Sequence, residues 1–193
     1  ICSVSADERR RQLWRDGSDE PGGFIEGYAS VFNNVDLGGD IVLPGAFKKT
    51  LKERLPKGAI KLVDSHNIHE GTAAVIGVVS EAKEDDTGLW FKGRVSTVPR
   101  AQEVRTKVKE GILDATSFGY DTIKSKPGSE GTRYLQELKL YEVSVVIWGM
   151  NPLAGVSAVK SATSLPTFKV APADTPWNES EAIERLKAWV SAS

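Results

Sequence analysis

Only one cysteine, Cys2, occurs in 193 residues, which excludes an internal disulfide and a thiolate zinc site and suits a reducing compartment. Histidine is nearly as scarce, with His66 and His69 alone. Neither sign of charge is in excess: 25 basic and 26 acidic residues leave a formal net charge of -1. The long-range field on which nucleic-acid binders and polybasic membrane binders depend is therefore missing. No apolar run approaches the roughly 20 residues that span a bilayer. The first fifteen residues, with Arg9, Arg10 and Arg11 behind an acidic start, lack the apolar segment of a signal peptide. The chain thus reads as soluble, with neither nucleic acid nor membrane as a partner. Gly22-Gly23 and Gly38-Gly39 fit neither the dinucleotide nor the phosphate-loop template, so no nucleotide cofactor is expected.

What is present is an ordinary globular composition, 40% hydrophobic and 26% charged, which argues against disorder over most of the length. Residues 1–23 are charged and end in Pro21-Gly22-Gly23, which predicts a flexible arm. Short apolar runs rich in β-branched and aromatic residues then recur between Gly, Asp and Pro: 24–32, 59–63, 74–81, 89–95, 115–123, 134–147 and 153–159. They predict a mainly β core over 24–160. The segments 83–88 and 124–131 read as hairpin loops, so neighbouring strands are expected to be antiparallel.

Two helices are expected to flank the strands. Phe47, Leu51 and Leu55 recur at helical spacing behind Pro44-Gly45, and Pro56 ends the pattern. Pro99 suits a first helical turn, Ala101, Val104 and Val108 form one stripe, and Gly111 stops it. Residues 161–177, with several prolines, read as a linker. Beyond them 178–193 predict an amphipathic helix with Asn178 as N-cap, Glu181 in a capping box, and Ile183, Leu186 and Val190 on one stripe. A helix this short needs a partner surface.

Few residues can carry chemistry. His66 and His69 follow the apolar run 60–63 in Asp-Ser-His-Asn-Ile-His-Glu, and a strand end suits a catalytic base. The same residues read alternatively as a solvated loop, or as zinc ligands with Asp64 and Glu70, although no established ligand spacing is present. Ser117 sits in an apolar, glycine-containing stretch after a helix stop. It is a candidate nucleophile or simply a small residue on a half-buried strand face. Glu142 lies in Leu-Tyr-Glu-Val-Ser-Val-Val-Ile, the most apolar run, where an unpartnered carboxylate is costly. It points either to solvent with Ser144 or to a histidine or arginine at a site. Residues 36–40, Asp-Leu-Gly-Gly-Asp, lack the register of a calcium loop and read as a turn.

Taken in order, Gly27 to Phe32, Val35 to Asp40, Pro44 to Phe47, the His66 segment, Gly111 to Asp114 leading into Ser117 to Tyr120, and Leu140 to Val146 followed by Asn151-Pro152 resemble the prohead proteases of tailed bacteriophages. The match runs from about Gly23 to Val159. The resemblance implies a serine endopeptidase related to the herpesvirus assemblins. Its fold would be mainly β with flanking helices, a closed antiparallel β-barrel. It implies cleavage of the scaffolding region of the major capsid protein precursor, and of the protease itself, inside the procapsid assembling in the host cytoplasm. It further implies weak self-association as homodimers or larger assemblies, and no cofactor or metal. The family triad falls on Ser117 as nucleophile, His66 as base and Glu142 as orienter, with His69 the alternative base. Oxyanion donors are expected from the backbone around Phe118 and Gly119, and from Arg133 on a strand beside that of Glu142. The rival readings are a capsid-associated structural protein that kept the barrel without catalysis, and a sugar- or peptide-binding β domain.

Overall fold

Apolar and polar side chains alternate along β1 (Phe24–Val31), so that Ile25 and Ala29 are fully buried, as expected of a strand with one face on a core. The computed structural model describes residues 22–160. The expected linker and C-terminal helix, and all but the last two residues of the arm, lie outside the described residues. Strand β1 is followed by β2 (Asp40–Val42), α1 (Lys48–Arg54), β3 (Lys61–Asp64), β4 (Val75–Glu84), β5 (Gly88–Val95), α2 (Pro99–Lys109), β6 (Ala115–Pro127), β7 (Arg133–Val146) and β8 (Gly155–Lys160). Seven strands close into a barrel in the order β7-β3-β4-β5-β1-β8-β6, with β6 returning to β7.

The expected barrel is present, but its pairing is mixed. The β4–β5 and β6–β7 hairpins are antiparallel, whereas β3 and β2 both run parallel to β7. The two share one edge of β7: β2 pairs with Arg133 to Leu135 and β3 with Glu142 to Val145. Parallel neighbours need long crossovers, and here the chain returns from β3 to β7 through β4, β5, α2 and β6. Strand β2 has only three residues and follows the Asp36 turn, whose carboxylate accepts from the backbone of Gly38 and Asp40.

The helices bury the stripes that their spacing requires. Ala101, Val104 and Val108 of α2 join the core around Ile25, Leu62 and Phe91. Helix α1 is shorter than expected and passes into a 3-10 turn at Leu55. Phe47, immediately before it, is fully buried, with its ring edge-on to Phe118 at 5.4 Å and stacked near Phe32 at 6.4 Å.

One irregularity in the β6–β7 pairing shapes this side of the barrel. In the β6–β7 ladder Gly119 opposes Glu142 while Tyr120 opposes Leu140, so Tyr141 is an extra residue on β7. Such a bulge breaks the ladder and shifts the phase of the strand. Before it Leu138 and Leu140 are in the core; after it Val143 and Val145 are, and Glu142 and Ser144 point the other way. The loosened backbone is held by α1: Thr50 Oγ1 accepts from the Leu140 N–H at 3.0 Å, and Arg54 Nε donates to the Leu140 carbonyl at 2.8 Å.

Phe47 anchors the β2–α1 connection to the barrel, and truncating a buried phenylalanine costs about 3–5 kcal/mol. Phe47→Ala is expected to lower the unfolding free energy of the full chain by that amount, read in urea denaturation as a lower midpoint at an unchanged m-value.

Candidate active site

Three adjacent strands build the site in rows. Across β3, β7 and β6, Lys61, Glu142 and Gly119 stand side by side, and Val63, Ser144 and Ser117 form the next row. Directly opposed residues share a face and hold their Cβ atoms about 4.5–5.5 Å apart. Ser117, 8% exposed, therefore lies beside Ser144 on the face that carries Glu142. Thr116, on the opposite face, donates to the Tyr28 carbonyl at 2.6 Å.

Glu142 is 7% exposed, and a buried carboxylate needs partners. It has two: His66 Nδ1 lies 2.6 Å from Oε1, and Ser144 Oγ donates to Oε2 at 2.7 Å. An ionised carboxylate only accepts, so it fixes the proton of the ring on Nδ1 and leaves Nε2 with its lone pair. Space for the carboxylate comes from Gly119. A Cβ there would sit 2.4 Å from Glu142 Oε1, closer than any non-bonded contact allows.

His66 leaves β3 in a strained turn. Ser65 and His66 have φ of 56° and 57°, a left-handed conformation that costs non-glycine residues of order 1–3 kcal/mol each. Local bonds hold it: Ser65 N–H donates to the Val145 carbonyl at 2.9 Å, Asn67 N–H to the Asp64 carbonyl at 3.1 Å, and His66 N–H to Ser144 Oγ at 3.1 Å. Arg100, on α2, spans the loop by pairing with Asp64 at 2.9 Å and with Glu70. Both carboxylates of the zinc reading are thus held by a guanidinium, and no cluster of three or more metal-ligating side chains occurs among the described residues. His69 is exposed, and the imidazole partner of Glu142 is His66.

Of the sequence-derived candidates, the fold brings together His66, Glu142, Gly119 and Ser117. The Phe118 side chain packs into the core against Phe47, which leaves only its backbone for the site. Arg133 is a correction. It opens β7, the same strand as Glu142 rather than a neighbouring one, and lies nine residues before it, about 30 Å along an extended strand. Its guanidinium is bidentate to Asp40, at 2.8 and 2.6 Å. Those bonds hold the Asp40 carboxyl below its ordinary value, and Tyr120 adds a hydrogen bond at 3.1 Å. Burial, with Asp40 beside it, pushes the Tyr120 phenol up to about 12. Arg133 locks β2 onto β7 instead of serving the site. Ser144 and Arg100 are the contributors that sequence reasoning missed. The only signal for Ser144 was its place two residues from Glu142 in an apolar run, and Arg100 gave none.

The class of this barrel protein, a protease, follows from its relatives in sequence. The chain belongs to the caudovirus prohead serine protease family, whose model matches residues 11–168. The prohead protease of Enterobacteria phage HK97 is 31% identical over 174 residues, covering 88% of this chain and 73% of that protein. Among solved structures, the bacteriophage T4 capsid assembly protease shares the fold with a TM-score of 0.53 at 15% identity, over 66% of this chain and 82% of that one. A KSHV protease bound to a hexapeptide phosphonate inhibitor superposes with a TM-score of 0.46 at 11% identity, over 69% and 63% of the two chains. The protein is accordingly a protease of phage capsid maturation. None of its described helices is long and apolar enough to cross a membrane.

Two outcomes test this geometry. Gly119→Ala is expected to stay folded by circular dichroism and to lose at least about tenfold in proteolytic rate, because Glu142 must shift. The Asp40–Arg133 pair has an acid signature. Its native carboxyl is depressed, so its stabilisation is complete above the ordinary aspartate value of 3.8 and is lost as pH falls through the lower native value. In urea denaturation, the stability difference between wild type and Arg133→Met is expected to be widest above about pH 5 and to shrink toward about pH 2.

Proposed function

We propose that the chain is a serine endopeptidase in which Ser117 is the nucleophile, His66 the general base and Glu142 the residue that orients it. The observation that carries this reading is the 2.6 Å contact between His66 Nδ1 and a buried carboxylate on β7, with Ser117 on the facing strand one row along. His66 Nε2 takes the proton from the Ser117 hydroxyl as Oγ attacks the peptide carbonyl, then returns it to the leaving amine. Glu142 keeps the proton on Nδ1 and stabilises the imidazolium that forms. The oxyanion is met by backbone N–H groups at Phe118 and Gly119, each such donor being worth roughly 2.7–4 kcal/mol when removed.

The substrate in this reading is the scaffolding region of the major capsid protein precursor, and the protease itself, inside the assembling procapsid. What supports it is membership of the prohead family and the maturation role that membership carries. Self-association is weak, so the high local concentration of the procapsid drives activity.

Co-expression with the cognate capsid precursor tests the reading on a gel. Wild type is expected to trim both precursor and itself, and Ser117→Ala neither. Glu142→Gln is expected to be slower by as much as about 10⁴-fold, yet above the Ser117→Ala background. Cleavage retained by Ser117→Ala removes the serine from its role, and an unchanged rate in Glu142→Gln removes the acid.

A further inference from the structure

We propose that Ser144 is a fourth, positioning member of the site, which holds both the acid and the backbone of the base. The inference rests on the reading of Ser117, His66 and Glu142 just given, and extends it to a residue that performs no proton transfer with substrate.

Ser144 is fully buried, so its hydroxyl has no bulk water to turn to. One neighbour is the backbone N–H of His66, 3.1 Å away, which only donates; Ser144 Oγ must accept from it. The other is Glu142 Oε2 at 2.7 Å, which as a carboxylate only accepts, so the hydroxyl proton must point there. The hydroxyl has one orientation that satisfies both, and each bond polarises the next.

The result is a closed loop of bonds. His66 N–H reaches Ser144, Ser144 reaches Glu142, and Glu142 reaches the ring of the same histidine. His66 is thereby gripped at backbone and side chain together, at the residue whose φ of 57° is otherwise unfavourable. Without Ser144, Glu142 would still fix the ring proton, but its carboxylate could rotate about its last torsion and the His66 N–H would lose its bond to β7. Ser144 stops both. The residue is also the direct cross-strand partner of Ser117, so the base is referenced to the strand position that faces the nucleophile.

The test uses the full chain and a fluorophosphonate probe, which reports hydroxyl activation without a known cleavage sequence. Ser144→Ala is expected to keep a cooperative melt near that of wild type and an unchanged half-saturating probe concentration. Its limiting labelling rate is expected to fall about 10- to 100-fold, the scale of a misplaced catalytic group. The downfield proton resonance of His66 Nδ1–H, sharp in wild type, should broaden or disappear. In wild type itself the His66 amide is expected to exchange slowly with solvent deuterium, a result that does not depend on the variant folding. A limiting rate within twofold of wild type, a loss that merely follows a collapsed melt, or fast exchange of that amide overturns the proposal. Ser117→Ala is the control: if it is silent while Ser144→Ala labels normally, only the role of Ser144 falls. If Ser117→Ala still labels, the underlying triad falls and Ser144 with it.

Discussion

A carboxylate buried in the most apolar strand of the protein has to be given partners, and satisfying Glu142 is the constraint around which the site is arranged. An isolated charge in that environment is prohibitive. The bulge at Tyr141 turns Glu142 away from the core that Val143 and Val145 fill. Gly119 supplies the volume that its head group occupies, and His66 and Ser144 supply the hydrogen bonds. None of these features answers a purely structural need. A leucine at the same position after an unbulged strand is the simpler way to complete a barrel wall.

The parallel pairing of β3 with β7 has the same origin in geometry. An antiparallel β3 would place its first residue rather than its last beside Val145, and the loop that follows it at the far end of β7. Running parallel, β3 delivers its carboxyl end beside Val145, and the chain turns through Ser65 and His66 over the row that holds Ser144 and Ser117. The strain of two left-handed residues is offset by bonds to β7 and by the grip of Arg100 on Asp64 and Glu70. The loop that carries His66 is thus tied on one side to the barrel wall and on the other to α2.

What the sequence discloses of this depends on range. Local periodicity is enough for the strands around Ile25, Phe91 and Val143 and for the stripe Ala101, Val104 and Val108, because each is dictated by the side chains of one segment. Strand β2 escapes it. Three residues after a glycine pair carry no alternation, and β2 is held by pairing with residues far along the chain, with Arg133 closing on Asp40. The same long-range pair misleads the reading of Arg133: a basic residue just past a hairpin loop looks free to serve a site, while its partner is a turn aspartate that no spacing rule connects to it. The barrel was legible as a class through the ordered motifs, but parallel edges and bulges are properties of pairing and leave no local trace. Glu142 is the informative middle case. The energetic oddity of a carboxylate in that run was visible, and it correctly required a partner, but which partner only the fold could say.

The division of the site between rigid and adjustable parts follows from this arrangement. Ser117, Glu142 and Ser144 stand on two strands joined by an extended ladder, so their mutual distances are set by hydrogen-bond spacing and vary little. His66 stands on a loop, where a ring that, in the proposed mechanism, accepts a proton from one atom and delivers it to another has freedom to tilt. A loop base without anchorage would lose the advantage of proximity, since catalysis by a positioned group falls steeply with sub-ångström error. The bonds from His66 to Glu142 and Ser144 resolve the conflict by making Nδ1 and the backbone the fixed points and Nε2 the free end. In the proposed mechanism the ring is therefore referenced to β7 rather than to its loop, with Ser117 on the adjacent strand β6 opposite Ser144.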